Sequence, residues 1–341
     1  MKTIMKTLFV AVSSLSLMFS VNAGELSVSG TAKATYSIVN GTQNEPGVGI
    51  TNELNFTASG EMDNGYAWSY SMELDPDSTD GSALNDDTQI GLTMNNLGKI
   101  KYCVSECSNN KKYAWDQSAY TTITDTGLSS SITYPADELS YNTIQYHTPE
   151  LPFGTTGHVA WGNAKKDASS GNQTGAAGTN SITSYSLVTK PVDGLTISGY
   201  AYEVNDYDDG LENEEQLEDG GAWAATYSMG NVTAGYGKSY KSPESTTSIG
   251  TGTVVEYYEN TGFSIGMAIN DELSVSYSAE DSSANQRTST NTIYDISVDS
   301  IQLAYSLGGA TLSLARADTD NVGYANGVDQ TETIIAMTFA F

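Results

Sequence analysis

Apolar and polar residues alternate with period two from residue 25 onward. Leu26, Val28, Ala32, Ala34, Tyr36 and Ile38 fall on one side of an extended chain, and Glu25, Ser27, Ser29, Thr31, Lys33 and Thr35 on the other. Successive side chains of a strand point to opposite faces, so this spacing predicts a strand with one greasy and one wet face. Leu54, Phe56 and Ala58 then alternate with Glu53, Asn55, Thr57, Ser59 and Glu61. Asp63-Asn64-Gly65 supplies a tight hairpin signal, after which Tyr66, Trp68, Tyr70, Met72 and Leu74 alternate with Ala67, Ser69, Ser71 and Glu73. The pattern recurs down the chain and ends on Thr333, Ile335, Met337, Phe339 and Phe341. It gives about sixteen strands, at roughly 20 residues per strand plus connection.

The connections alternate in length. Short ones are expected near 63–65, 95–98, 149–157, 189–194, 229–231, 270–271 and 307–309. Longer polar ones are expected near 40–50, 75–86, 104–140, 165–180, 205–220, 241–261, 280–290 and 318–330. Transmembrane barrels are built this way, with short periplasmic turns and long extracellular loops. Proline lacks the donor a ladder needs, and Pro46, Pro76, Pro135, Pro149, Pro152, Pro191 and Pro243 all fall in these expected connections. A soluble sandwich or propeller also has many short strands. The length rhythm, the terminal Phe341, and Tyr66, Tyr227 and Tyr305 near turns with Tyr36 and Trp223 near loops favour a barrel with two aromatic girdles. The predicted fold is therefore all-β, a transmembrane antiparallel barrel over residues 24–341.

The N-terminus fits this destination. Lys2 and Lys6 precede an apolar stretch from Leu8 to Phe19, and Val21-Asn22-Ala23 suits a cleavage site, so residues 1–23 read as a signal peptide. That stretch is too short for a spanning helix and no second apolar run of helical length follows, which excludes a helical membrane protein. Acidic residues outnumber basic ones 41 to 14 for a net charge of −27, so nucleic acid is excluded as a partner by the sign of the field. Cleavage removes Lys2 and Lys6 and makes the balance still more acidic.

The opening strand Glu25-Leu26-Ser27-Val28-Ser29-Gly30, the Leu54 to Leu74 hairpin, the Asn96-Leu97-Gly98-Lys99 turn and the closing Thr338-Phe339-Ala340-Phe341 together resemble the general bacterial porin family over the whole mature length. The resemblance implies a sixteen-stranded barrel in the outer membrane, usually a homotrimer, that passes small hydrophilic solutes. It also implies a third loop folded into the pore, and a terminal Phe, here Phe341, read by the barrel assembly machinery. Outer-membrane lipid and lipopolysaccharide are the expected surroundings. A barrel of this size is too wide for side chains to fill and encloses water, so polar faces turn inward and a mean hydropathy of −0.31 is compatible with a membrane protein.

Residues 104–140 are the longest connection and follow the fifth strand, where the family places its constriction. They carry Glu106, Asp116, Asp125, Asp137 and Glu138, with Lys111 and Lys112. The family's Pro-Glu-Phe-Gly signature is not evident in them. Strand parity turns Lys33 and Lys101 into the lumen, and also Glu25, Glu53, Glu61, Glu73 and Asp87, an excess of acids that predicts preference for cations. Cys103 and Cys107 flank Val104-Ser105-Glu106 and fit a disulfide at the loop base, with free thiols or a metal pair as alternatives. The acidic 205–220 loop is the one candidate site for divalent cations, although the order of acids does not fit a calcium loop, and no other cofactor is expected. Only His147 and His158 exist and no Gly-x-Ser-x-Gly element accompanies them, so no enzyme activity is expected. A substrate-specific channel and an adhesin-like barrel are the alternatives.

Overall fold

In a computed structural model the described residues are 26–41, 46–74, 86–104, 114–123, 131–136, 141–164, 181–205, 216–245, 254–288 and 292–341. The alternating segments form sixteen antiparallel strands. They are β1 (Leu26–Asn40), β2 (Gly47–Glu61), β3 (Ala67–Leu74), β4 (Asp86–Thr93), β5 (Lys99–Val104), β6 (Tyr141–His147), β7 (Thr156–Ala164) and β8 (Ser181–Val192). The second half comprises β9 (Leu195–Asn205), β10 (Asp219–Met229), β11 (Val232–Ser242), β12 (Val254–Ala268), β13 (Leu273–Thr288), β14 (Ile296–Ser306), β15 (Ala310–Asp320) and β16 (Gln330–Ala340). Each strand pairs with its sequence neighbours, and β1 pairs with β16, so the sheet closes into a barrel without a free edge. Among the described residues no helix is long and apolar enough to cross a membrane.

The seam is closed by the chain end. Gly30 and Phe341 exchange both backbone hydrogen bonds, Gly30 N–H to Phe341 O at 2.8 Å and Phe341 N–H to Gly30 O at 3.0 Å. Gly30 is required there, because a Cβ would stand 2.6 Å from the Glu53 carbonyl oxygen and 2.9 Å from the Phe341 ring. The hairpin foreseen at Asp63-Asn64-Gly65 is present. Met62 N–H donates to Tyr66 O at 2.7 Å, and Gly65 takes φ +79°.

The outer surface is the apolar set of each alternating strand: Leu26, Val28, Tyr102, Trp161, Tyr185, Ile265, Leu314 and Met337 are all exposed. Serine, glutamine and small residues occupy the inner set. Inner stretches on two parts of the wall depart from the expectation of a uniformly polar lumen, the first being Ile182 of β8 with Tyr200, Tyr202 and Val204 of β9, which pack together and are buried. In the second, Ile296 and Val298 of β14, Ala315 and Ala317 of β15, and Ile334 and Ala336 of β16 point inward and are buried in one apolar cluster.

Several boundaries also move. Strand β12 starts at Val254 inside the loop expected over 241–261, and β13 runs to Thr288 through the loop expected over 280–290. Strand β2 begins at Gly47. The added parts of β12 and β13 lack clean hydrophobic alternation because the barrel wall there is polar outside as well as inside. Pro191 lies within β8 rather than in a connection, and is tolerated because the β8–β9 register slips between Thr189 and Val192. Residues 1–23, expected to form a signal peptide, lie outside the described residues.

Replacing Gly30 with valine should force the seam apart at a cost of about 1–3 kcal/mol. The folded barrel should then lose its compact, unboiled gel mobility at a lower temperature than the parent chain.

Candidate functional site

The described part of the connection between β5 and β6 lies inside the barrel. Its described residues, 114–123 and 131–136, bind inward-facing side chains of one half of the wall. The outgoing limb crosses β12, β13 and β14 in turn, and each strand offers hydroxyls or an amide at the right height. The Ser264 hydroxyl donates to Trp115 O at 2.8 Å and accepts from Gln117 N–H at 2.7 Å. Ser276 accepts from Ala119 N–H at 2.8 Å. Gln302 of β14 behaves like a short strand edge. Its Oε1 accepts from Tyr120 N–H and Thr121 N–H at 3.0 and 2.9 Å, and its Nε2 donates to Thr121 O at 2.7 Å. Backbone groups that would otherwise be buried and unpaired are thereby satisfied.

The return limb is held the same way. Asn260 Nδ2 donates to Thr133 O at 2.9 Å, Tyr134 hydroxyl donates to the buried Glu280 carboxyl at 2.6 Å, and Tyr200 hydroxyl donates to Ala136 O at 2.9 Å. Asn260 is fully used, since Ser282 donates to its Oδ1 at 2.6 Å and its Nδ2 also reaches Ser239 Oγ at 3.0 Å.

Apolar packing anchors the crossing. Trp115 is 4% exposed and lies in a saddle of inward-facing glycines on β11 and β12. A Cβ at Gly235 would overlap the Trp115 carbonyl, one at Gly262 would overlap its ring, and one at Gly237 would stand 2.6 Å from Cδ1. At Gly266 it would stand 2.5 Å from Gln117 O. Ile123 is fully buried and completes the cluster with the apolar residues of β14 to β16. Those inward apolar positions are thus covered by the infolded segment rather than exposed to a water-filled lumen.

Asp116, expected to lend charge to the constriction, is engaged within this joint. Its Oδ1 accepts from Ser118 N–H and Oγ at 3.0 and 2.6 Å and from Ser278 Oγ at 2.7 Å, and its Oδ2 accepts from Ile123 N–H at 2.7 Å. A carboxylate so saturated shapes the segment and is poorly placed to meet a passing ion.

The opposite wall carries further ionisable side chains on its inner face. Lys33 on β1 faces inward with Nζ 5.9 Å from the Tyr120 ring centroid, within cation–π range. Lys101 lies opposite the buried, inward-facing Gln145 in the β5–β6 register. Lys99 shares its parity and was missed, because it reads as part of the turn; its Cε and Nζ lie over Gly91 of β4. Glu53 accepts from Thr31 Oγ1 at 3.4 Å, Glu61 stands exposed at the hairpin, and Glu73 lies opposite Asn55 on the inner side. Asp87 lies in β4, with its side chain outside the described set. Glu25, Glu106, Cys107, Asp125, Asp137 and Glu138 lie outside the described residues. Cys103 is buried on the inner face and disulfide-bonded.

Of the 205–220 loop, Glu218 pairs with Lys241 at 3.0 Å and accepts from Tyr202 hydroxyl at 3.0 Å, while residues 206–215 lie outside the described set. Among the described residues no group of three or more His, Cys, Asp or Glu is placed to hold a metal ion. His147 and His158 face each other across β6 and β7 with ring centroids 4.2 Å apart. Above the loop end of the wall, Tyr324 packs on Tyr258 and shares a 2.8 Å hydrogen bond with Ser282, and burial raises its phenol pKa.

A closed sixteen-strand barrel with a long connection folded against its inner wall is the porin fold. The solved structures it matches include a porin at 16% identity and TM-score 0.67, over 93% of this chain and all of that one. The anion-selective porin from Comamonas acidovorans matches at 14% identity and TM-score 0.64, again over 93% and 100% of the two chains. OmpT, an outer membrane protein from Vibrio cholerae solved in a trimer form, matches at 11% identity and TM-score 0.67 over 94% and 100%. No protein-family model and no curated protein sequence matches the chain.

The saddle makes a direct prediction. Gly262→Val should lift Trp115 from the wall while leaving the barrel closed. In a chain whose Trp68, Trp161 and Trp223 are phenylalanine, Trp115 emission should shift to the red and acrylamide quenching should rise. Trp115→Ala should lower barrel stability by roughly 3–5 kcal/mol, as loss of a buried aromatic does.

Proposed function

We propose that the protein is a bacterial outer-membrane porin, a passive channel for ions and small hydrophilic solutes, without enzyme activity. The infolded segment carries this reading. A sixteen-strand barrel encloses more space than its side chains fill. Here a single segment, fastened to β9 and β11–β14 by side-chain hydrogen bonds and a buried tryptophan, narrows that space from one side. Such an arrangement sets a fixed aperture. Export by the 1–23 signal segment and insertion through recognition of Phe341 are part of the same reading, as are lipid and lipopolysaccharide contacts. Divalent cations at the 206–215 acids remain within it as bridges to lipopolysaccharide.

We propose a preference for cations. The described inward face of β1–β5 is balanced, with Lys33, Lys99 and Lys101 against Glu53, Glu61 and Glu73. The bias therefore rests on the remaining acids of the lumen and loops within a net charge of −27. In planar bilayers the protein should insert in discrete conductance steps. A salt gradient should give a reversal potential of cation-selective sign that shrinks as salt rises. Anion selectivity would overturn this preference while leaving the channel in place, and absence of conductance steps would overturn the channel.

The outer surface supports a homotrimer. On β9–β16 the outward face becomes charged toward the loop end, with Glu203, Asp219, Lys238, Glu259, Asp281, Asp299, Arg316 and Asp318. On β1–β5 the described outward positions hold no charge, and Tyr36, Val48 and Ile50 remain apolar and exposed at the loop end, Val48 by 81%. An apolar face above the lipid belt fits burial against another copy. Val48→Lys with Ile50→Lys should convert the detergent-solubilised oligomer to monomer by light scattering, with the heat-sensitive barrel fold retained.

A further inference from the structure

The two histidines of the chain are placed together by the barrel. His147 ends β6 and His158 lies near the start of β7, at the short-turn end of the wall, and they are direct partners in the register. Thr148 N–H donates to Gly157 O at 2.9 Å, which makes Thr148–Gly157 a hydrogen-bonded pair. Pairs alternate along an antiparallel ladder, so His147–His158 is of the other type, in which opposed side chains come closest. Both project inward, because Thr143 and Gln145 on β6 and Ala160 on β7, two residues along, are buried inside while Tyr146 and Val159 are exposed outside.

The protonation of one ring follows from its neighbour. Gln145 is fully buried, and its Nε2 donates to Thr143 Oγ1 at 3.0 Å. Its Oε1 faces His147 Nε2 at 3.0 Å, and in the tautomer that forms this hydrogen bond that nitrogen carries the proton. In the neutral ring the lone pair is then on Nδ1. A metal-binding histidine is commonly oriented in this way, with its other nitrogen donating to a fixed oxygen. The nearest like charges are turned aside. Lys99 is the β5 partner of His147, but its amine lies over Gly91 on β4, on the side away from β6. Lys101 stands one pair further along, opposite Gln145.

We propose that His147 and His158 bind one divalent ion of the copper, nickel and zinc class at the turn end of the lumen. Two imidazoles on rigid adjacent strands supply borderline ligands, and water completes the coordination. With no carboxylate in the pair, the site favours these ions over calcium or magnesium, which take oxygen ligands. The site requires the barrel but not conduction, so it stands apart from the channel reading.

The test uses the full barrel in detergent with Cu2+ alone, titrated near neutral pH and followed by electron paramagnetic resonance. One Cu2+ per chain should bind with coupling to two imidazole nitrogens. His147→Gln and His158→Gln should each weaken that binding by about tenfold or more, and the double variant should lose the two-nitrogen signal. Heat-sensitive gel mobility confirms that each variant still forms the barrel. A two-nitrogen signal of unchanged affinity in the folded double variant would overturn the site, as would absence of such a signal in the parent chain.

Discussion

The closed hydrogen-bond ladder is the constraint on which the rest depends. A strand in hydrocarbon cannot leave backbone donors and acceptors unpaired, because each costs several kcal/mol without water to receive it. Sixteen short segments can meet that demand only by pairing in a ring, and the last link is the β1–β16 seam. Phe341 and Gly30 complete it with two reciprocal backbone bonds. The chain can therefore place serine, glutamine and glutamate on the inner face of most strands without loss, since the apolar requirement falls on the outer face alone.

Closure at this strand number creates a second problem, a lumen wider than side chains fill. The chain answers it with its own longest connection. Its described residues lie outside any helix or strand, and the wall satisfies their backbone through Ser264, Ser276, Asn260 and Gln302. The wall also recedes to admit it. Gly235, Gly237 and Gly262 lack the side chains that would otherwise occupy the space of Trp115. Polar groups and small residues on one half of the inner surface are thus explained by what lies on them, and the other half keeps lysines and glutamates toward the open side.

This division accounts for the different roles of similar residues. Asp116 and Glu280 are both acidic and inward, yet both are consumed by hydrogen bonds within the joint. Lys33 reaches across to the face of Tyr120 on the infolded segment. A charge in such a lumen acts on a solute only where it is not already neutralised by a neighbour, so the position of the segment decides which ionisable groups count.

The sequence by itself determined the strands, their faces and their number. Period-two alternation is imposed by the difference between the outer face and the lumen, which is local to each strand and survives without knowledge of partners. It also marked the hairpin at Asp63-Asn64-Gly65, the short and long connections, and the inward parity of Lys33, Lys101 and Glu53. It misplaced the ends of β12 and β13, where both faces are polar toward the loop end, and it put Pro191 in a turn because the slip in register that accommodates proline depends on β9. Only the tertiary structure decided what the long connection does. Trp115 and its glycines are more than 100 residues apart in sequence and share no local signal, and Ile296, Val298 and Ile334 become sensible lumen residues only once Ile123 covers them. The pairing of His147 with His158 belongs between these cases. Both were legible beside one turn, but whether they meet on the same face is a matter of register, which the ring of hydrogen bonds alone fixes.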